Sequence, residues 1–478
     1  MTKHLTYILI IFSILSCHHE SEMCDKLDVQ PQIFPDYKGV TIPSTIAPLN
    51  FKSLDSCERI EVKFSGLSDM SITVSGRQAI HIPHKRWSKL IEGAGEVNVL
   101  VKTLHGGKWR EYAPFSIYIS KDSIDQNICY RRLSPGYELY SKMGIYQRRL
   151  SDFSEKTIIE NTLMENTCVN CHSFAKCDPE TMQFHIRGKN GGTILKSGGV
   201  VEMINTKTDI GFGCVYPYWH PSGLFIAYSV NNIHQIFHNK PDEILDVYDV
   251  ESTVVVYDVR ESKVIRYPLL KDSSKLNTFP VFSADGKKLY FCSAPVQDVS
   301  NHLREIRYSL YCVDFNPEIG VIGDTISKVL EIPGFSISFP RPSYDGRYIL
   351  FTRSLYGNFT IWHKDADLWI LDLQTMEARP VDEVNSDDTE SYHSWSSNSK
   401  WIIFSSRRVD GLHTRLFFSH VANDGKFSKP FMLPQKDPDY YDRLMQSYNI
   451  PEFINEEVDI PVSKIMKPKK RSVSLQDM

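Results

Sequence analysis

At 478 residues the chain is longer than one hydrophobic core ordinarily organises, so two or three domains are expected. With 41% hydrophobic and 23% charged residues it has the composition of a folded globular protein, and a net charge of −4 gives no basis for nucleic-acid binding. Aromatics reach 12%, with 24 Tyr and 25 Phe, a bias toward strands over helices.

Residues 1–17 read as an export signal. Lys3 supplies the positive end, and the apolar run Leu5 to Leu15 is too short to span a bilayer. It ends in Ile14-Leu15-Ser16-Cys17, which resembles the lipobox of bacterial lipoproteins and implies lipidation at Cys17. A plain signal peptide with an incidental cysteine, or a short anchor left uncut, is the alternative. Residues 18–50 are polar and punctuated by proline, as in a tether with an irregular lead-in. Residues 51–125 carry short alternating runs such as Arg59 to Phe64, Ser71 to Val74, Val97 to Val101 and Phe115 to Ile119, the pattern of a small, separate β-sandwich-like domain.

Residues 126–178 read as a connecting segment. Asp152 with Glu155 three positions on forms a capping-box pair, and Ile158, Ile159, Leu163 and Met164 roughly follow helical spacing. A helix is therefore expected to lead into Thr167-Cys168-Val169-Asn170-Cys171-His172-Ser173. In an exported protein C-x-x-C-H is the signature of covalent haem c. On a helix, positions i, i+3 and i+4 share a face, so both thiols reach the haem vinyl groups and His172 supplies the proximal ligand. Met182 and His185, shortly downstream, are the candidates for the distal bond. Two other readings stay open. Cys168, Cys171, His172 and Cys177 form a Cys₃His zinc set, and a disulfide within Cys168 to Cys177 needs no cofactor.

Residues 179–450 are organised by a repeat. Pro217-Tyr218-Trp219-His220-Pro221-Ser222-Gly223, Pro280-Val281-Phe282-Ser283-Ala284-Asp285-Gly286, Pro340-Arg341-Pro342-Ser343-Tyr344-Asp345-Gly346 and His393-Ser394-Trp395-Ser396-Ser397-Asn398-Ser399 each precede an apolar strand. The Asp-Gly or Asn-Ser pair supplies a tight turn. A third strand follows in each unit, with Asp258, Asp314, Asp372 or His420 at the matching place; the aspartates are read as turn caps or acceptors of backbone N–H bonds rather than catalytic groups. Residues 183–205 look like a further partial unit. Residues 451–478 read as a polar, basic tail.

Four antiparallel strands per repeat make a propeller blade. These repeats resemble the blades of TolB-like propellers, and the whole chain resembles exported TolB-like propeller lipoproteins carrying a single CxxCH. The resemblance implies an all-β fold of six blades, or five, the sixth having to come from residues 130–150 and the C-terminal tail. It implies anchoring in the cell envelope outside the cytoplasm, on the periplasmic side or at the outer membrane. It does not supply a reaction. The leading expectation is a redox or electron-transfer protein bearing one haem c. The alternatives are a haem-free scaffold that binds a protein or glycan partner at a propeller face, and a channel enzyme acting on glycans. The sequence carries no G-x-S-x-G, P-loop or H-E-x-x-H motif, which favours the non-enzymatic readings.

Overall fold

The computed structural model describes residues 24–67, 70–134, 142–207, 213–240, 243–298 and 302–478. The leader and Cys17 lie outside the described residues. The fold is all-β.

Six antiparallel sheets dominate it. Sheet 1 joins Asn127–Leu133, Gly144–Arg149 and Glu155–Glu160 to Ser447–Ile454, a strand from the far end of the chain. Sheet 2 is Val169–Ala175, Asp178–Ile186, Gly192–Ser197 and Val200–Ile204. Sheet 3 begins with Cys214–Trp219 and contains two strands of 16 residues, Phe225–Lys240 and Glu243–Asp258. Sheets 4, 5 and 6 begin with Lys275–Phe282, Ser336–Pro342 and Glu390–Trp395. The first strands of sheets 2 to 6 pack one against the next, and Ser447–Ile454 packs against those of sheets 6 and 2, so the cycle closes.

The turns behave as the repeat predicts. Asp285 accepts from the Ser283 hydroxyl and the Lys287 amide, and Asp345 and Asn398 do the same in sheets 5 and 6. Gly223, Gly286 and Gly346 hold φ of +71°, +72° and +75° there, the left-handed region that glycine enters without a steric penalty. Asp258 and Asp372 cap the turns that follow their strands, through the amides of Arg260 and Glu261 and of Gln374 and Thr375. Asp314 departs from the expected cap: its exposed carboxylate pairs with Lys288 instead, and His420 at the matching place pairs with Asp122.

Three expectations change. The helix expected before Cys168 is a strand. Ile158 and Ile159 are buried in the core between sheets 1 and 2, and residues 155–160 pair with 144–148, leaving one 3₁₀ turn, Asn161–Met164. Cross-strand hydrogen bonds and burial override the local helical spacing.

The lead-in and the sandwich-like domain are one unit. Cys24–Lys26 and Thr41–Pro43 join a seven-stranded sheet with Arg59–Ser65, Ser71–Gly76, Glu96–His105, Lys108–Glu111 and Phe115–Ser120. The helix His84–Ile91 buries Trp87, Leu90 and Ile91 beside it. This unit is not separate: its core runs on into those of sheets 1, 5 and 6, and Asp125 accepts from the Ser397 hydroxyl at 2.6 Å.

The basic tail is structured as well. Lys469–Arg471 adds in parallel to Val200–Ile204, and Ser474–Asp477 adds in parallel to Lys263–Arg266. Lys469 and Arg471 reach Glu202 at 2.8 and 3.5 Å, so part of the basic charge is used to hold this strap on the sheet edges.

Candidate functional site: a cavity at the CxxCH motif

Each first strand, and the closing strand of sheet 1, is broken by a bulge at the same level. One residue in each bulge is left-handed: Cys171 (φ +53°), Tyr216 (+50°), Phe279 (+49°), Phe339 (+50°), Tyr392 (+42°) and Ile450 (+48°). Bulges re-aim side chains. Here all six border one cavity of about 610 Å³. Tyr216, Phe279, Phe339 and Tyr392 make a continuous aromatic arc, with successive ring centroids 4.5, 4.4 and 4.8 Å apart. Cys171 and Ile450 fill its remaining arc. The arc was missed in the sequence, although its signal is there: the residue before Pro217, Pro280 and Pro340 is aromatic each time, and Tyr392 precedes His393.

The motif therefore sits on an extended strand and not on a helical face. Cys168 lies at the entrance to Val169–Ala175, its carbonyl accepting from the Arg187 amide at 2.9 Å. Both thiols are free, buried and on the cavity wall. Burial raises the Cys171 pKa, while Arg187 and the Tyr216 amide oppose that shift. Arg131 donates to Asn170 Oδ1 at 3.2 Å and to the Cys168 sulfur at 3.5 Å.

His172 also borders the cavity and is 1% exposed. Its ring nitrogens face the backbone at Cys129 and Ile450 without reaching full hydrogen-bond geometry with either. Burial, helped by Arg131, pushes its pKa down to about 3, so the ring is neutral and carries a lone pair. His185 lies on the neighbouring strand opposite Asn170, with Nδ1 2.6 Å from Thr193 Oγ1. Its Nε2 reaches full hydrogen-bond geometry with no group, although the backbone at Cys214 lies beside the ring, and burial lowers its pKa to about 4. Met182 is placed elsewhere, fully buried between sheets 1 and 2 and off the cavity wall. Of the two distal candidates, only His185 borders the cavity, while Met182 lies in the core cluster that holds Cys168.

The zinc set is not assembled. Cys177 sits at the next hairpin, with its sulfur 3.6 Å from Tyr344 Oη and 3.9 Å from the Trp395 carbonyl. Among the described residues no three His, Cys, Asp or Glu side chains are grouped to hold a metal ion.

The long hairpin of sheet 3 roofs the cavity with Asn231, Ile233, Gln235, Leu245 and Val247. Two buried aspartates tie it to sheets 4 and 5. Asp246 meets His363 Nε2 at 3.0 Å and His238 Nε2 at 2.8 Å. Asp249 accepts from Asn231 at 2.8 Å, Asn358 at 2.7 Å and the Tyr308 hydroxyl at 3.4 Å. Burial raises the Asp249 pKa to about 6 against these donors. Burial also opposes ionisation of Asp246, but the two histidines outweigh it and lower its pKa.

No family model matches the chain, and no curated protein does. Solved structures show faint likenesses. Prolyl oligopeptidase B from Galerina marginata aligns at 11% identity and TM-score 0.35, over 65% of this chain and 52% of that one. An oligogalacturonate lyase in complex with manganese aligns at 11% and 0.32, over 66% and 90%. The apocarotenoid oxygenase of Synechocystis aligns at 10% and 0.33, over 86% and 95%. The chain thus spans about half the length of the oligopeptidase. At these TM-scores they are likenesses only, and the fold rests on the pairing of its own strands.

Proposed function

We propose that the chain is a TolB-like propeller of six blades, held outside the cytoplasm by lipid on Cys17, which carries one covalent haem c in its channel and serves electron transfer. One observation carries this reading: Cys168, Cys171, His172 and His185 converge on one cavity whose walls are largely apolar and aromatic. The residue types fit the group. Two thiols can form the thioethers, and a neutral buried imidazole without a full hydrogen bond can serve as an axial ligand. When bound, the haem supplies a one-electron couple. The chain's own residues exclude water, hold His172 neutral, and place Arg131 and Arg187 beside the motif. A pyridine haemochrome spectrum, after expression with haem c maturation, tests the reading.

A second reading is favoured by the register itself. Cys171-His172 occupies the place of Tyr392-His393 in sheet 6, where His393 is a structural residue donating to the Leu350 carbonyl at 3.0 Å. On that reading the motif is a variant of the sheet repeat, and the protein is a haem-free binding module anchored in the envelope, with its partner at the cavity or a sheet face. The channel enzyme has less support: Glu452 is the one carboxylate among the described cavity-lining residues.

A further inference from the structure

We propose that the cavity recognises a flat, conjugated ring system bearing carboxylates, and does so non-covalently, through groups other than the two cysteines. This deepens the haem reading by assigning recognition to the cavity walls, yet it stands or falls separately from thioether formation.

Three observations support it. The first is shape. About 610 Å³ lies within the roughly 300–1,000 Å³ of ordinary small-molecule sites. Four aromatic rings packed on one another at 4.4–4.8 Å line it, an aromatic surface for a planar ligand. The left-handed bulge residues put those rings there, and four sheets repeat the device. A wall needed only to fill a core has no reason to leave a cavity of that size beside it.

The second is charge. Among the described residues Arg131, Arg187 and Arg341 border the cavity, with Lys207 and the Asp388-paired Arg407, against the single carboxylate of Glu452. Burial raises the Glu452 pKa to about 7, so even this negative charge is weakened near neutrality. Arg187 lies close enough to depress the pKa of both Cys171 and His185. Arginine forks pair with carboxylates in a bidentate way, and at buried Arg131 the low-dielectric surroundings strengthen the pairing.

The third is enclosure. The sheet 3 hairpin exceeds what its sheet needs: its far half pairs only with itself, and its inner face closes over the arc. Asp246 and Asp249 fix it in place from outside the cavity. The arrangement removes a ligand's faces from water while leaving cationic groups at its edge.

The test uses the full chain produced without haem c maturation, together with a Cys168→Ala, Cys171→Ala variant. Each is titrated with metal-free protoporphyrin IX, which has no iron to be ligated, and with its dimethyl ester, which has no free carboxylate. Porphyrin fluorescence and tryptophan quenching report binding. Saturable one-to-one binding with micromolar Kd is expected for both proteins, and at least tenfold weaker binding for the ester. Arg187→Gln, at an exposed position, is expected to weaken the diacid about tenfold and leave the ester unchanged. Phe279→Leu is expected to weaken both. Absence of saturable binding, equal affinity for diacid and ester, or indifference to both substitutions overturns the proposal. Haem attached through the cysteines, with no porphyrin binding by the cysteine-free variant, sinks this inference and spares the covalent reading; porphyrin binding without attachment does the reverse.

Discussion

Cys171 stands in sheet 2 where Tyr216 stands in sheet 3: each is the left-handed residue of its strand's bulge, at φ +53° and +50°, and the Tyr216 amide points at the Cys171 sulfur. The motif cysteine is thus a member of the ring around the cavity, and the only one able to form a covalent bond to a ligand. Ring membership and bond formation make different demands, which substitution can separate.

The apo protein should tolerate loss of this thiol far better than loss of an aromatic member. Cys171→Ala keeps the same strained backbone region and removes one sulfur that faces the cavity. Phe279→Ala removes a ring that packs on both Tyr216 and Phe339, at a cost of about 3–5 kcal/mol. Chemical denaturation should place the Cys171 variant within about 1 kcal/mol of the wild type. An equal loss for both would show that the Cys171 thiol supports the fold.

Gly286 tests the turn geometry. A Cβ there would lie 2.0 Å from His220 Nε2, which itself sits 3.0 Å from the Gly286 carbonyl oxygen, and φ is +72°. Gly286→Ala should cost about 2–4 kcal/mol. Gly39→Ala, at φ +69° with nothing near the new atom, should cost about 1 kcal/mol. Thermal unfolding of the two variants gives the comparison.

The repeat was legible because its chemistry is local: Asp285, Gly286 and the hydrophobic strand after them fall within a dozen residues. Sheet 1 was legible only as a location, residues 130–150 with the C-terminal end, and not as strands, because Ser447–Ile454 pairs with Asn127–Leu133 across more than half the chain and no Asp-Gly turn marks its hairpins. Residues 155–164 were misread as helix because Ile158, Ile159, Leu163 and Met164 fit either period, and the partner strand 144–148 decides between them. The strap at 469–477 was hidden for a related reason. A basic, polar stretch reads as solvated until Glu202 and the open edges of sheets 2 and 3 are placed beside it. At the site, the motif residues were found directly; the aromatic arc becomes visible only when the bulges are aligned.

Buried histidines and a buried acid give opposite pH signatures. Burial lowers His393 to about 3. Between about pH 6.5 and 3 the unfolded chain binds a proton the native protein does not, so this stabilisation is present above 6.5 and lost as pH falls. His393→Gln, which keeps a donor for Leu350, should make stability fall less steeply below pH 6, by about 1 kcal/mol per pH unit. Glu452, raised to about 7, behaves in reverse: its stabilisation is present below about pH 4.5 and lost as pH rises toward 7. Glu452→Gln should therefore be the more stable protein at pH 8, relative to wild type, than at pH 5. Denaturation midpoints from pH 4 to 8 check both signs.

The roof should loosen when its clamp is cut. Asn358→Ala removes the 2.7 Å donor to Asp249 and leaves a buried carboxylate short of a partner, a cost of about 1–3 kcal/mol. Hydrogen exchange of amides in 231–249 should quicken, while that of Trp401–Ser406 in sheet 6 stays as in wild type. Uniform quickening would mean that the hairpin is not a local unit.

The most direct test of the central claim is covalent haem. The full chain is expressed in a host with haem c maturation, and the purified protein is examined by pyridine haemochrome spectrum and by haem-dependent peroxidase staining after denaturing electrophoresis. One haem per chain should stay bound through denaturation. A Cys168→Ala, Cys171→Ala variant should lose the stain, and His172→Ala should alter the iron's ligation where attachment survives. A wild-type chain that is folded, exported and matured beside a stained control cytochrome, yet carries no covalent haem, would contradict the claim and leave Cys171-His172 as a variant of the aromatic-proline step of its neighbouring sheets.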